Sequence, residues 1–377
     1  MRDWLIRQGH LIDYTLASLR RHGGRNLGLF VVYGLLVFAL ASLSLYAGAL
    51  RSEAGLLLAG SPEVVLQRMV AGRHDLIPPG YLEGIGRIRG VQKKEARLWA
   101  YHPDPQSGAQ LVFMARPASE VASGSVMVGA ALAAAHGWQP GATLSFTDYR
   151  GQAYALQLAS LLTPASRLQS AALVLVSEDD FRAFFGYPAG HYTDIALSVR
   201  NPAEVPNVAS KLAAALPDAR PIQRDEMLRT YEHIFDWREG VLLTLLAAAV
   251  LAFAIFAWQR AAGLSAEERR EIGILKAIGW ETGEVMRMKV WESLLLSLSA
   301  FAAGFLAAWV HVFQFGAPLF APLLKGWSVS YPGFALTPAV AGLQLATLFF
   351  FTVFPYTAAV LVPIWRAAIT DPDTVMR

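Results

Sequence analysis

The sequence predicts an α-helical membrane protein with four transmembrane helices and an α+β extracytoplasmic domain between the first helix and the second. Only 16% of the 377 residues are charged and 54% are hydrophobic, whereas soluble domains usually carry about a quarter charged residues. The depletion of charge is confined to a few long apolar stretches, and residues 51–240 contain none of them. Membrane spans that flank a soluble portion explain both observations.

Four apolar stretches approach or exceed the roughly 20 residues that a helix needs to cross a bilayer. They predict transmembrane helices at residues 27–50, 241–258, 290–315 and 340–363. The segments outside the spans are an amphipathic N-terminal helix at 1–26, a cytoplasmic segment at 259–289, an extracytoplasmic loop at 316–339 and a cytoplasmic tail at 364–377. We interpret His311, in the third span, as a helix-interface or pore-end residue.

The distribution of Lys and Arg near the span ends predicts the orientation, because cytoplasmic flanks are enriched in these residues. Basic residues cluster before the first span and between the second and third spans, whereas the loop between the third and fourth has only Lys325. An even number of spans places both termini on one side. We therefore expect a multi-pass protein of the cell inner (cytoplasmic) membrane, with cytoplasmic N- and C-termini and with residues 51–240 in the periplasm.

Residues 51–240 are long enough to fold as a domain, and two β-α-β patterns occur in them. The first has strands at 63–69 and 91–101 around a short helix at 79–88; the second has strands at 193–199 and 219–223 around a helix at 203–216. Two such units in one small domain predict a ferredoxin-like layer of helices on a sheet.

The stretch of about 115–188 between these two units predicts an inserted subdomain. It has a strand-then-helix pattern at 125–135, a hairpin at 142–158 that turns at "DYRG", and a strand at 173–176 before a helix capped by Ser177. After the second unit, residues 224–240 show helical spacing and continue without a breaker into the second span. They predict a stalk helix.

A charged helix is predicted between the second and third spans, at residues 267–279. Ser265 and Glu268 match a capping box at its start, and Gly279 suits its end, where a left-handed residue is favoured. Ile272, Leu275 and Ile278 recur at helical spacing on one face. A helix bound to anionic lipid is typically basic, and the acidic residues here would be repelled. The mixed charge therefore favours a protein partner over lipid.

The stretch "EERREIGILKAIGW" and the C-terminal "PIWRAAITDPDTVMR" resemble the signature segments of FtsX/MacB-type ABC transporter permeases, the type VII or mechanotransmission family. The segment "LASLRRHGGRNLGLF" before the first span is also similar to that family, as is the order of one span, a large outer domain and three further spans. The resemblance implies that residues 51–240 include a porter-type layer. It also implies a second permease copy, as homodimer or related heterodimer, and a separate cytoplasmic ABC ATP-binding subunit, with a periplasmic adaptor protein in some systems.

The resemblance further implies that the charged helix docks on the ATP-binding subunit. The residues concerned are Glu267, Glu268, Arg269, Arg270, Glu271, Ile272, Ile274, Leu275, Lys276, Ile278 and Gly279. Closure of the ATP-binding subunits would move the spans and the outer domain without passing substrate through the bilayer, which is called mechanotransmission. The implied function is export or extraction of a hydrophobic or amphipathic substrate. An FtsX-like regulator of a periplasmic cell-wall hydrolase is the alternative, and a sensor of an external signal is a third possibility.

Motifs for several other chemistries do not occur in the sequence. No GxxxxGK[ST] phosphate loop is present, so ATP is expected on the partner subunit and no cofactor on this chain. No HExxH or GxSxG motif occurs, so we expect no enzyme and assign no catalytic or metal-binding residue. With no cysteine, disulfides and cysteine-ligated metals are excluded. The net charge of +3 does not favour a nucleic-acid partner, and the scattered His74, His102, His136 and His191 are interpreted as surface residues.

Overall fold

The computed structural model describes residues 2–21, 23–86, 88–104, 106–230, 266–320 and 336–369, together with scattered positions between 240 and 258. The chain forms two compact units. The helical unit comprises Met1–Gly48, Trp237–Ala321 and Pro338–Arg377, and the sheet unit comprises Ala49–Asp236 and Pro322–Thr337.

The sheet unit consists of short strands and short helices, and the helical unit consists of longer helices. In chain order they are α1 (Arg2–Arg21), α2 (Gly23–Ala59), β1 (Val64–Val70), β2 (Arg73–Asp75), α3 (Tyr81–Gly84), β3 (Val91–Arg97), β4 (Trp99–Pro103), β5 (Gln110–Arg116), β6 (Ser125–Gly129), α4 (Ala130–His136), β7 (Thr143–Thr147), β8 (Ala153–Leu162), α5 (Arg167–Ser170), β9 (Leu173–Ser177), α6 (Glu178–Phe185), β10 (Asp194–Val199), α7 (Val205–Ala215), β11 (Ala219–Gln223), α8 (Ala266–Ala277), α9 (Thr282–Phe313) and α10 (Gly342–Ile369).

Three helices of the described part of the chain are long and apolar enough to cross a membrane. They are Asn26–Ala59, Thr282–Phe313 and Gly342–Ala359, with mean hydropathy of 2.3, 1.9 and 1.3. They overlap the first, third and fourth predicted spans. The predicted second span lies largely outside the described residues, but its Phe253 is described: its ring centre is 5.2 Å from that of Tyr33 and 5.7 Å from that of Tyr356.

Small residues allow α2 and α9 to pack closely inside the helical unit. Gly34 of α2 faces Gly304 of α9, and neither has a side chain to separate the two backbones. Farther along the same two helices, His311 of α9 meets Ser42 of α2. The Leu319 N–H donates to His311 Nε2 (3.4 Å). Nδ1 of the ring is therefore the donor, and it donates to Ser42 Oγ (3.2 Å). The interpretation of His311 as a helix-interface residue is therefore confirmed.

Replacing Gly304 with alanine is expected to destabilise the helical unit. The new Cβ would lie 2.5 Å from the Gly34 carbonyl oxygen and 2.9 Å from Val37 Cβ, and overpacking of this kind typically costs about 1–3 kcal/mol. The thermal transition of the purified chain in detergent should fall. Gly283→Ala, in the same helix with open space around its Cβ position, is the control. Equal transition temperatures for the two variants would contradict the close packing.

The first sheet of the sheet unit has five strands, all antiparallel, in the order β11-β1-β10-β3 with β2 paired to β1. Its core lies under α7, where Leu212 packs with buried residues of β1 and β10 such as Leu66 and Leu197. The strands predicted at 63–69, 193–199 and 219–223 and the helix at 203–216 are confirmed to within a few residues. The helix predicted at 79–88 is only the single turn α3.

The strand predicted at 91–101 is wrong, because it is two strands in two different sheets. β3 pairs with β10, whereas β4 pairs with β5. Thr193 holds the junction: its N–H donates to the Arg97 carbonyl (2.8 Å), and its hydroxyl both accepts from the Trp99 N–H (3.0 Å) and donates to the Trp99 carbonyl (2.8 Å). An alternating pattern cannot reveal this change of partner, since both strands keep the same period.

The second sheet has six strands in the order β4-β5-β9-β6-β8-β7, in which β5 pairs with β9 and β6 with β8 in parallel. Phe113, Phe146 and Phe184 belong to its core together with residues of α4 and α6. The Ser177 hydroxyl accepts from the Asp180 N–H at the start of α6, so the predicted cap is confirmed. Because β4 and β5 belong to this sheet, the inserted subdomain begins near residue 99 and not near 115.

Candidate functional site

Helix α8 ends in a tight turn that joins it to α9. Gly279 has φ +102°, and the N–H groups of Gly279 and Trp280 donate to the carbonyls of Lys276 and Leu275, both at 3.0 Å. This is the Schellman arrangement, which needs a left-handed residue and therefore favours glycine. The predicted end of the charged helix at Gly279 is confirmed.

Helix α9 begins immediately after this turn. Glu281 caps it with its side chain, and the Glu284 carboxylate accepts from the Glu281 N–H at 3.3 Å. A Schellman turn followed directly by a capping box leaves the four connecting residues little freedom. The two helices therefore form a rigid helical hairpin, residues 266–313.

One face of α8 is buried and anchors the hairpin. Ile272 and Leu275 are 4% and 6% exposed, and Ile272 packs with Val285 of α9 and with the Trp280 ring. The predicted placement of Ile278 on this face is wrong: it follows the last helical residue and is 72% exposed. With Ile274 at 45% exposed, it gives the hairpin two solvent-facing isoleucines four residues apart.

Glu271 is held by helix α1. The Tyr14 hydroxyl donates to Glu271 Oε1 at 3.1 Å, and Arg21 Nη2 donates to the same oxygen at 3.2 Å. The Tyr14 ring also contacts the Trp280 ring at 5.8 Å between centres. The Tyr14 hydroxyl first, and the Glu271 carboxylate second, raise the pKa of the Arg21 guanidinium, which therefore stays charged in this ion pair.

The contribution of α1 to the site was missed in the sequence. Its amphipathic pattern and its basic end were visible, but nothing local indicates that Tyr14 and Arg21 meet a residue some 250 positions later. The structure packs α1 against α9, with Thr15 and Ser18 fully buried. One end of α1 thus meets α8 and its side packs on α9.

The remaining predicted site residues are distributed around the helix. Arg270 is exposed and Lys276 is partly buried. The side chains of Glu267, Glu268 and Arg269, and the predicted cap Ser265, lie outside the described residues. The docking role of this whole set stays a prediction.

Comparison with known proteins identifies the domain that contains this hairpin. Residues 240–372 match the family model described as FtsX-like permease C-terminal. Over these residues the chain is similar to FtsX-like permeases. The matched segment contains α8, α9 and α10 and every residue predicted to dock on a partner.

A solved structure also aligns with part of the chain. The periplasmic region of MacB from Actinobacillus actinomycetemcomitans aligns with a TM-score of 0.32 and 9% sequence identity, covering 45% of this chain and 92% of that one. None of the curated proteins matches the sequence.

A buried carboxylate connects three separate segments inside the sheet unit. Glu53, near the end of α2, is 2% exposed. One of its oxygens accepts from the Ser166 hydroxyl (3.2 Å) and the Arg167 N–H (2.8 Å), and the other accepts from the Thr337 hydroxyl (2.9 Å). Thr337 lies just before α10. The end of α2, the segment before α10 and the connection from β8 to β9 therefore meet at one side chain.

Two histidines of the sheet unit are not surface residues, and the sequence interpretation is wrong for them. His102 is 8% exposed, and the His136 ring packs against Trp138 with its Nε2 3.1 Å from Asp104 Oδ2. His102 lies in β4 of the second sheet, and His136 ends helix α4, which packs on that sheet. The contacts of this sheet join distant segments and could not be assigned from local patterns. Within the described part of the chain, no group of His, Asp and Glu side chains is arranged to hold a metal ion.

Proposed function

We propose that this chain is an FtsX-like permease, the membrane subunit of an ABC transporter. In this proposal a separate cytoplasmic subunit hydrolyses ATP, and movements of residues 51–240 export or extract a hydrophobic or amphipathic substrate. The observation that carries the proposal is the pair Ile274 and Ile278, exposed on a hairpin whose opposite face is buried. Exposed isoleucines beside charged residues suit a protein partner, because a partner removes their apolar surface from water.

The hairpin has the rigidity that a coupling element needs. α8 is joined to α9 by interlocked caps, and Glu271 joins it to α1. A partner that displaces α8 would therefore displace α9 and α1 together with it. This supports transmission of movement from the cytoplasmic side into the spans.

Helix α2 provides a route from the spans outwards. Its 37 residues correspond to a length of about 55 Å at the usual helical rise, more than the roughly 30 Å of a bilayer core. Its far end carries Glu53, bonded to the segment before α10 and to the second sheet's connection. These bonds support mechanotransmission, since movement of the helix end would displace the groups attached to it.

The strand order of the first sheet supports the predicted porter-type layer. In the order β11-β1-β10-β3, the strands that are first and third along the chain lie in the centre and the second and fourth lie outside, which is the arrangement of a ferredoxin-like fold when β2 is set aside. We place both termini in the cytoplasm and expect a second permease copy, with a periplasmic adaptor as an additional partner in some systems.

Reconstitution tests this function. The purified chain alone should show no ATP turnover, and turnover should appear when it is combined with its ATP-binding subunit in liposomes. ATP should then drive release of an amphipathic probe from the outer leaflet. Turnover by the chain alone, or an ATPase rate that the permease leaves unchanged, would contradict the proposal. Coupled turnover with no release, together with activation of a cell-wall hydrolase, would favour the regulator instead.

A further inference from the structure

Helix α1 supplies both of the groups that donate to the Glu271 carboxylate in the described part of the chain. Glu271 Oε1 accepts from the Tyr14 hydroxyl at 3.1 Å and from Arg21 Nη2 at 3.2 Å, and the Glu271 side chain is only 19% exposed. The two donors are seven residues apart, which places them about two turns from each other on one face of α1. The carboxylate of α8 is therefore held by α1 and offers little surface to a partner protein.

The place of Arg21 in the chain gives this contact a mechanical consequence. Arg21 is the last residue of α1, and α2 begins two residues later at Gly23. The ion pair therefore attaches α8 to the start of α2, the helix of 37 residues that contains the first span. A displacement of α8 is applied directly to one end of a spanning helix.

Two ring contacts reinforce the hydrogen bonds to Glu271. The Tyr14 ring lies 5.8 Å from the Trp280 ring between centres, and the Arg21 guanidinium lies 5.6 Å from the centre of the Tyr14 ring, within the range of a cation–π contact. Trp280 belongs to the turn between α8 and α9. A single exposed ion pair contributes little to stability, but these contacts together fix the orientation of α8 and of the turn at its end.

We infer that Tyr14 and Arg21 are positioning residues through which a movement of α8 reaches the N-terminal end of α2. The inference rests on the proposed function, and it assigns Glu271 to the attachment of α8 to α1 instead of to docking. The docking contact remains with Ile274 and Ile278, which are exposed on the hairpin. Loss of the bonds to Glu271 should therefore leave binding of the ATP-binding subunit intact and reduce the ATP-driven movement of α2.

A fluorophore on α2 tests the inference on the full chain, whose sequence contains no cysteine. Bimane on Leu35→Cys, at a 61% exposed position of α2, reports a change in its surroundings through its emission maximum. In nanodiscs with the ATP-binding subunit bound at saturation, ATP is expected to shift this maximum. Arg21→Glu places a second carboxylate beside Glu271 and should reduce the shift at least fivefold. Arg20→Glu makes the same change of charge at the exposed neighbouring residue and should leave the shift unchanged.

An exchange of charges distinguishes positioning from a general loss of stability. Arg21→Glu combined with Glu271→Arg restores an ion pair with the charges reversed, and the Tyr14 hydroxyl can accept from the introduced guanidinium. This double variant is expected to recover at least half of the wild-type shift. Tyr14→Phe keeps the ring beside Trp280 and removes only the hydroxyl, so it should reduce the shift at least twofold even if Arg21→Glu does not fold. The Kd of the ATP-binding subunit should stay within twofold of the wild-type value in every variant.

The wild-type chain, measured alongside, separates this inference from the proposed function. Stimulation of ATP turnover by the permease tests the proposed function, whereas the emission shift tests only the route into α2. A shift that is absent in the wild type, that persists in full in Arg21→Glu and Tyr14→Phe, or that the exchange of charges does not restore would overturn the inference.

Discussion

Replacing Ile274 and Ile278 together with glutamate is expected to abolish binding of the ATP-binding subunit. Burial of one isoleucine side chain is worth about 1.5–3 kcal/mol, and each 1.4 kcal/mol changes an affinity about tenfold. Loss of both contacts should therefore weaken the complex by two orders of magnitude or more. The fold should survive, because both side chains face solvent in the single chain. Titration of the ATP-binding subunit against the permease in nanodiscs measures the effect.

The control for this experiment has the same change of charge at a different place. Arg287→Glu alters the charge by the same amount as the double variant, at an exposed position of α9 near the hairpin turn. It is expected to weaken binding far less, because it removes no apolar contact. If Arg287→Glu weakens the complex as much as the double variant does, the effect is one of charge, and the contact assigned to the two isoleucines is wrong.

The Glu53→Ala variant is expected to separate ATP hydrolysis from work on the substrate. The change leaves the Ser166 and Thr337 hydroxyls and the Arg167 N–H without their acceptor. Ser166 is fully buried, and an unpaired buried hydroxyl costs about 1–3 kcal/mol. The end of α2 would then no longer be joined to the other two segments. ATP turnover by the reconstituted complex should persist while release of substrate is lost.

Two measurements decide the outcome for Glu53: the ATPase rate and the rate of probe release, taken on the same proteoliposomes. Glu120→Ala is the control, since its side chain is 59% exposed and its ion pair with Arg116 is long, at 3.8 Å. Surface ion pairs of this kind contribute little to stability, so the ATPase rate and the release rate should both stay at the wild-type level. A Glu53→Ala complex that keeps normal release would show that this carboxylate has no coupling role.

The sequence by itself determined the features that depend on neighbouring residues. Apolar length predicted the three described spans, and alternation predicted most strands of both sheets. Helix ends were also predictable, as at Gly279 and Ser177, because a cap is chosen by the local backbone and by the hydrogen bonds of residues a few positions away. For the same reason the charged helix, its C-terminal end and its likeness to FtsX-like permeases were all visible without coordinates.

Only the tertiary structure decided which side chains of the site are exposed and available to a partner protein. Glu271 has the same local sequence whether it faces solvent or helix α1, and the bonds from Tyr14 and Arg21 come from the far end of the chain. Ile278 fits the period of the helix but lies just beyond its end. Glu53 lies in an apolar helix with no local sign of its three donors. The surroundings of each of these side chains depend on how the chain folds beyond its local sequence. The periodicity of apolar residues along the sequence carries no information about such contacts.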